Sequence, residues 1–431
     1  MPNTLLTASM DNTAQIIGLT AGWLLVGWVA LRTLIFALRT VRRRQRWERE
    51  YERERADFCR QVEATARAAR ASKAIPDWSG WRPFRVAAIV DEARGVKSFY
   101  LVPVDGQPLS PYAPGQYLTF RLQLPELDRE IVRCYSLSDR PRQDYYRVTI
   151  KRVAAPIDRQ QVPAGRGSSY FHDHVGVGAV LDVRAPAGTF LIDPLADAPI
   201  VLIGAGIGIT PLVSMLEAIV GGGKPRETHL ICGFRNSGEH PFKELLRRIA
   251  AAHPNIRLHV SYSAPQPTDT LHKDYNHRGR LTINRVREAL PSNNYHFYVC
   301  GPAALMEALV PALWEWGVPD SHVHFEAFGP ASVKCATVGR SRAISTTPCD
   351  VRFEQTGRTV TWDDSFTSLL EFGEAAGVTM PSGCRAGNCG ECLLAMREGS
   401  VVPLKQPGIP VPAGHCLTCI SVPDSALVLD A

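Results

Sequence analysis

Hydrophobic and polar positions divide the chain into stretches of distinct texture. Ile16 to Leu38 is a run of 23 residues interrupted only by Thr20, Arg32 and Thr33. As a helix it would be about 35 Å long, enough to cross a bilayer, so residues 14–38 are predicted as a transmembrane helix. Val41 to Ala71 is rich in Arg, Glu and Ala and lacks Pro and Gly, which favours helix; no apolar a/d repeat runs through it. Residues 40–75 therefore read as a charged stalk, ended by Pro76. Beyond Trp81 the pattern becomes alternating, as in Phe84-Arg-Val86-Ala-Ala-Ile89 and Phe99-Tyr-Leu101-Val-Pro. Short strands of this kind predict an antiparallel β-barrel over residues 82–193.

Pro199-Ile-Val-Leu-Ile203 is continuously apolar and runs into Gly204-Ala-Gly206-Ile-Gly208-Ile-Thr210-Pro211, followed by the helical spacing of Leu212, Leu216 and Ile219. Strands at His229–Asn236, Leu258–Ser263 and Tyr295–Pro302 alternate with helices at Phe242–Ala252 and Ala303–Trp316. This is the pattern of an α/β doubly wound parallel sheet, over residues 197–330. Residues 331–348 have the composition of a linker. In residues 349–431, Val351-Arg-Phe353 and Val360-Thr-Trp362 flank Gly357 as a hairpin, and Thr367 to Ala376 reads as a short helix.

Composition changes little in this picture. A chain of 431 residues is too long for one core, and 45% hydrophobic with 21% charged residues is ordinary for globular domains. The net charge of +6 gives no ground for a nucleic-acid role, because much of the Arg excess sits at Arg39, Arg42, Arg43, Arg44 and Arg46. That cluster marks the cytoplasmic end of the membrane helix, placing the N-terminus outside and the rest of the chain in the cytoplasm. Arg32 is near enough to the basic end to snorkel, Trp23 and Trp28 fall mid-span, and Gly18 with Gly22 forms a G-x-x-x-G pair of the kind that packs against a second helix.

Eleven cysteines do not make a disulfide scaffold in a chain of this length. Cys384, Cys389 and Cys392, with a distant cysteine after them, have the C-x4-C-x2-C…C spacing of a plant-type 2Fe-2S cluster. A zinc ribbon would repeat short C-x2-C pairs, and only one is present. Gly387 and Gly390 give the loop conformational freedom. Spacing leaves Cys416 and Cys419 both open as the fourth ligand. Cys59, Cys134, Cys232, Cys335 and Cys349 read as ordinary thiols.

The motifs in the middle of the chain resemble the ferredoxin–NADP reductase superfamily. Arg133-Cys-Tyr135-Ser136-Leu-Ser138 resembles its R-x-Y-S-x-S flavin segment, Tyr146-Arg-Val-Thr-Ile-Lys151 its next flavin strand, and Gly165-Arg-Gly-Ser168-Ser-Tyr-Phe-His-Asp its pyrophosphate loop. The resemblance implies Arg133 on the pyrophosphate, Tyr135 stacked on the isoalloxazine, Ser136 at its N5, and Ser138, Lys151, Gly165 and Ser168 around the cofactor. That loop looks more like flavohaemoglobin-type reductases than like the FMN-using phthalate dioxygenase reductase, which implies FAD.

In the same family Gly204, Gly206, Gly208, Thr210 and Pro211 cradle the nicotinamide nucleotide, together with Arg235 and with Cys300-Gly301-Pro302. Glu326 and Phe328 of His324-Phe-Glu-Ala-Phe-Gly-Pro would lie beside the flavin as polar gate and displaceable shield. Ser136, Thr210, Cys300, Glu326 and Phe328 are thus the candidate catalytic residues. The donor is read as NADH, with NADPH the alternative. The C-terminal part resembles a plant-type ferredoxin of β-grasp fold, whose last-ligand segment favours Cys419.

This domain order is that of phthalate dioxygenase reductase and its relatives. It implies a hydride from NADH to flavin, then single electrons through the cluster to a partner. No Rieske C-x-H pattern, globin segment or clustered His/carboxylate iron site is evident, so the expected partner is a terminal oxygenase, hydroxylase or desaturase. Two other readings are a quinone-type NADH reductase component, in which the ferredoxin precedes the flavin domain, and a membrane scaffold with inactive redox domains.

Overall fold

The computed structural model describes residues 28, 32, 78, 80–126, 130–155, 164–223, 225–328, 348–363 and 365–431. The expected membrane helix, stalk and linker lie outside the described residues apart from Trp28, Arg32 and Pro348. Trp28 and Arg32 are helical, with the guanidinium 4.7 Å from the indole centre. Among the described residues no helix is long and apolar enough to cross a membrane.

The first domain is a six-stranded antiparallel sheet of β1 (Arg82–Ala93), β2 (Val96–Pro103), β3 (Tyr117–Gln123), β4 (Glu130–Ser136), β5 (Tyr146–Lys151) and β6 (Val180–Ala187), in the order β4-β3-β6-β1-β2-β5. An antiparallel bridge between Leu137 and Val148 brings its two edges together, so the sheet curls into the expected barrel. Helix α1 (Arg166–Asp173) plugs one end. Its Phe171 packs edge-on against Phe99 at 5.1 Å and Phe120 at 5.3 Å, all three fully buried.

The second domain has six parallel strands, ordered β10-β9-β8-β7-β11-β12: β7 (Ile200–Ala205), β8 (Thr228–Phe234), β9 (Ile256–Tyr262), β10 (His277–Arg278), β11 (His296–Gly301) and β12 (Val323–Ala327). Around them stand α2 (Ile209–Gly221), α3 (Lys243–Ala252), α4 (Ile283–Ala289) and α5 (Ala303–Glu315). The unbroken apolar run of β7 follows from burial on both faces: Ile200 and Leu202 join one core, Val201 and Ile203 the other. The chain leaves β7 for β8 on one side and returns to β11 on the other, so the crevice between their carboxyl ends is the topological switch point, where such sheets take ligands. Element ends differ slightly from the sequence reading. Phe242, expected as helical, caps α3 in the left-handed region at φ 58.

The third domain is a mixed sheet ordered β14-β13-β19-β15-β17, made of β13 (Asp350–Phe353), β14 (Arg358–Thr361), β15 (Leu393–Glu398), β17 (His415–Leu417) and β19 (Leu427–Leu429). A small ladder joins β16 (Val401–Pro403) to β18 (Ser421–Pro423). Helix α6 (Leu369–Ala375) starts at Ser368, whose hydroxyl accepts from the Glu371 amide while the Glu371 carboxylate accepts from the Thr367 amide. Trp362, Phe353 and Phe372 fill the space between helix and sheet.

Candidate functional site

β4 and β5 are consecutive strands whose side chains, with the start of α1, wall a cavity of about 280 Å³. It is lined by Arg133, Tyr135, Ser136, Lys151, Gly165 and Ser168, joined from the second domain by Thr210 and Phe328. Tyr135 is held in place by Phe120 and Phe171, edge-on at 5.8 and 5.2 Å. Lys151 Nζ lies 3.3 Å from Glu239 Oε2. The Ser168 hydroxyl donates to Gly165 O at 2.9 Å and accepts from the Val153 amide at 3.1 Å, fixing the loop at the helix start, where free amide N–H groups suit phosphate. A Cβ on Gly167 would stand 2.8 Å from Arg133 Cγ and 3.0 Å from the Tyr135 hydroxyl, so the glycine keeps the cavity open.

Two residues of this segment make contacts beyond the cavity. Ser138 is fully buried, with its hydroxyl 2.7 Å from Thr149 Oγ1 and 3.2 Å from Arg147 O; it braces the wall rather than lining it. Arg133 lines the cavity, yet its Nη1 is engaged by Val132 O at 2.8 Å and Gly383 O at 3.3 Å, so the guanidinium also ties the barrel to the cysteine loop.

The glycine turn after β7 packs closely on the end of β11. A Cβ on Gly208 would lie 2.4 Å from Cys300 O, and one on Gly204 2.7 Å from Leu212 Cδ1, while Gly206 adopts φ 55. Pro211 lies in the buried first turn of α2, and Thr210 Oγ1 donates to Ile207 O at 2.9 Å. Gly301 ends β11 and Pro302 caps α5 in extended conformation. Cys300 is fully buried. Arg235, at the end of β8, is 67% exposed and 3.9 Å from Glu239. Glu326 is buried with Oε2 lacking a hydrogen-bond partner. Burial pushes its pKa up to about 7, opposed by the positive charge of Lys405 from the third domain.

Four cysteines meet in the third domain as two pairs. Cys384 and Cys389 are tied by the Cys384 amide donating to Cys389 Sγ at 3.2 Å, and Cys392 Sγ stands 3.1 Å from Cys419 Sγ. Amides of Asn388 and Cys389 point at Cys384 Sγ at 3.3 Å, and that of Gly387 at Cys419 Sγ at 3.2 Å. Among the described residues no group of three His, Cys, Asp or Glu side chains converges to hold a single ion. Two pairs of thiols fringed by N–H donors fit a 2Fe-2S cluster, which Cys384, Cys389, Cys392 and Cys419 would hold. Cys416, on β17, pairs with Leu394 of β15 and stays outside the set.

The sequence analysis missed how this loop meets the barrel. Tyr117 Oη donates to Asn388 O at 2.9 Å and Arg184 Nη1 donates to Cys389 O at 2.7 Å. The cavity also gains Thr149, Val153, Arg166 and Ile207. Of these, Thr149 lay within the flavin-strand stretch and Arg166 within the glycine spacing.

Residues 202–310 match the family described as oxidoreductase NAD-binding domain, and residues 351–424 the 2Fe-2S iron-sulfur cluster binding domain. A flavohemoprotein of Halalkalibacterium halodurans is 37% identical over 261 residues, covering 61% of this chain and 63% of the relative; the chain thus spans under two thirds of that protein's length. The flavohem-like FAD/NAD-binding domain of nitric oxide dioxygenase from Vibrio cholerae O1 biovar El Tor is 31% identical, with TM-score 0.51, 58% of this chain covered and 99% of that one. Phthalate dioxygenase reductase, described as a modular structure for electron transfer from pyridine nucleotides to [2Fe-2S], is 27% identical with TM-score 0.50, covering 82% of this chain and 98% of that one. Flavin cavity, nucleotide crevice and paired cysteines fit FAD, NADH and a 2Fe-2S cluster, and the chain belongs to the ferredoxin–NADP reductase superfamily, with a flavohem-like FAD/NAD-binding unit followed by a 2Fe-2S domain.

Proposed function

We propose that the protein is a membrane-anchored NADH-dependent reductase that delivers electrons through FAD and a 2Fe-2S cluster to a partner oxygenase, hydroxylase or desaturase. The observation that carries this reading is the seating of the cysteine loop on the cavity wall: Arg133 lines the cavity and donates to Gly383 O, next to Cys384, at 3.3 Å. When bound, flavin accepts a hydride and releases single electrons, which the cluster carries one at a time.

The chain's own residues supply the rest. Thr210 and Phe328 bring the nicotinamide domain to the cavity mouth, so a nucleotide entering the crevice would meet the flavin by displacing the exposed Phe328 ring. Ser136 lines the wall, and its hydroxyl would serve as a donor to the flavin N5. Arg235 is partly neutralised by Glu239, which weakens it as a 2′-phosphate site and favours NADH. The partner class draws support from phthalate dioxygenase reductase, whose name pairs it with an oxygenase. Anchorage is supported by the apolar run to Leu38 and the arginines after it, which favour a cytoplasmic catalytic body.

Anaerobic titration with NADH, read by visible absorbance and low-temperature EPR, tests the electron path. Flavin bleaching followed by a reduced 2Fe-2S signal is expected, and no bleaching with NADH or NADPH would sink the reading. Recovery of the protein in the salt-washed membrane fraction, lost when residues 14–38 are deleted, tests the anchor.

A further inference from the structure

In the barrel sheet, Thr119 of β3 is paired with Cys134 on one side and Arg184 of β6 on the other. Tyr117 lies two residues along β3, on the same face. This row meets the cluster loop, and Arg184 makes its most elaborate contact. One nitrogen donates to the main-chain oxygen of Cys389 at 2.7 Å, and the other lies 3.1 Å from the carboxylate of Glu391, between Cys389 and Cys392. The guanidinium is stacked 4.2 Å over Trp81, which is also faced by Arg121 at 5.0 Å. A planar cation with a fork of donors, laid flat on an aromatic ring, is pre-organised for such a bidentate grip. Arg184 takes no part in the barrel core, being 36% exposed, and does not line the flavin cavity.

We propose that Arg184, held by Trp81, is the positioning residue that seats the cluster loop on the flavin domain and thereby sets the rate of electron transfer from flavin to cluster. The proposal rests on the electron path argued above. In the step concerned one electron passes from reduced flavin to oxidised cluster, and no bond forms or breaks at Arg184. The rate falls steeply with distance, so the fraction of molecules with the loop seated controls it.

The test bypasses NADH so that failure of the donor reading and failure of this one differ. In the holoprotein, flavin is photoreduced by a laser flash with deazaflavin as sensitiser, and cluster reduction is followed by absorbance. Removing a charge-assisted hydrogen bond predicts cluster reduction at least about tenfold slower in Arg184→Ala. Arg184→Lys, which keeps the charge but loses the fork, should fall between. Added salt should slow the parent protein and leave Arg184→Ala unaffected, a response that a purely structural role would not give. A parent-like rate in Arg184→Ala with full flavin and cluster content overturns the proposal. Should that variant lose its cofactors, Glu391→Gln is read instead: about threefold slowing is expected, and an unchanged rate overturns the proposal.

Discussion

Glu326 shows what one residue gains and loses by its position. Its carboxyl is buried at the end of β12, with one oxygen unpartnered, and its pKa is raised from 4.5 to about 7 mainly by burial. A folded-state pKa above the unfolded one means that the stabilising contribution is complete below about pH 4.5 and is lost as pH rises through about 7. Glu326→Gln is therefore expected to be more stable relative to the parent at about pH 8 than at about pH 5, by at most about 3 kcal/mol. Denaturant titrations at the two pH values measure the difference. The cysteines make a second case at this scale. Cys419→Ser should lose the 2Fe-2S absorbance and EPR signal, whereas Cys416→Ser should keep both. Cluster loss in Cys416→Ser but not Cys419→Ser would overturn the ligand assignment.

At the scale of the element, the turn between β7 and α2 depends on hard contacts. Gly206 has φ 55 with open space around its Cα, so Gly206→Ala should cost only the strain of a left-handed residue, about 1 to 2 kcal/mol. Gly208→Ala would drive a Cβ into the carbonyl of Cys300 at 2.4 Å, and backbone cannot rotate away as a side chain can. It should therefore cost more and weaken NADH binding by at least about tenfold, as read by nucleotide titration of flavin absorbance. This element was legible in the sequence because its signal is local: an apolar strand, glycines and a helical repeat within about twenty residues. The cysteine loop was legible for the same reason. The barrel's seat for that loop was not, since Tyr117 and Asn388 are 271 residues apart and Arg184 and Cys389 are 205 apart. Arg184 belongs to no short motif and reads along its strand as an ordinary position. Ser138 is the converse case: it sits inside a motif, while its hydroxyl is engaged by Thr149.

Across the whole molecule, the barrel and the nicotinamide domain are joined by a buried charge network. Asp139 is 2% exposed and flanked by Arg142 at 3.1 Å and Arg147 at 3.7 Å, while Arg147 reaches Glu217 of α2 at 3.0 Å. The Ser214 hydroxyl adds a bond to Asp139 O at 2.6 Å. The two arginines keep the Asp139 carboxyl below its usual pKa despite burial, whereas burial and nearby Asp139 push Glu217 up to about 7. Arg147→Ala would strand a buried carboxylate, so a loss of about 3 to 5 kcal/mol is expected, measured by thermal unfolding of the holoprotein. Conversion of Arg147 to Ala without loss of stability would show that the domains are joined by their apolar contacts alone.

The barrel grips the cysteine loop chiefly through carbonyl oxygens: Tyr117 holds that of Asn388, Arg133 that of Gly383 and Arg184 that of Cys389. Every amino acid carries such an oxygen, so these contacts read the path of the loop, whereas the ion pair of Arg184 with Glu391 reads a side chain. A ferredoxin domain of unrelated sequence but the same loop path, grafted after the nicotinamide domain, would find most of its berth already built. The loop's outward side chains are correspondingly free to change to suit whichever protein takes the electron.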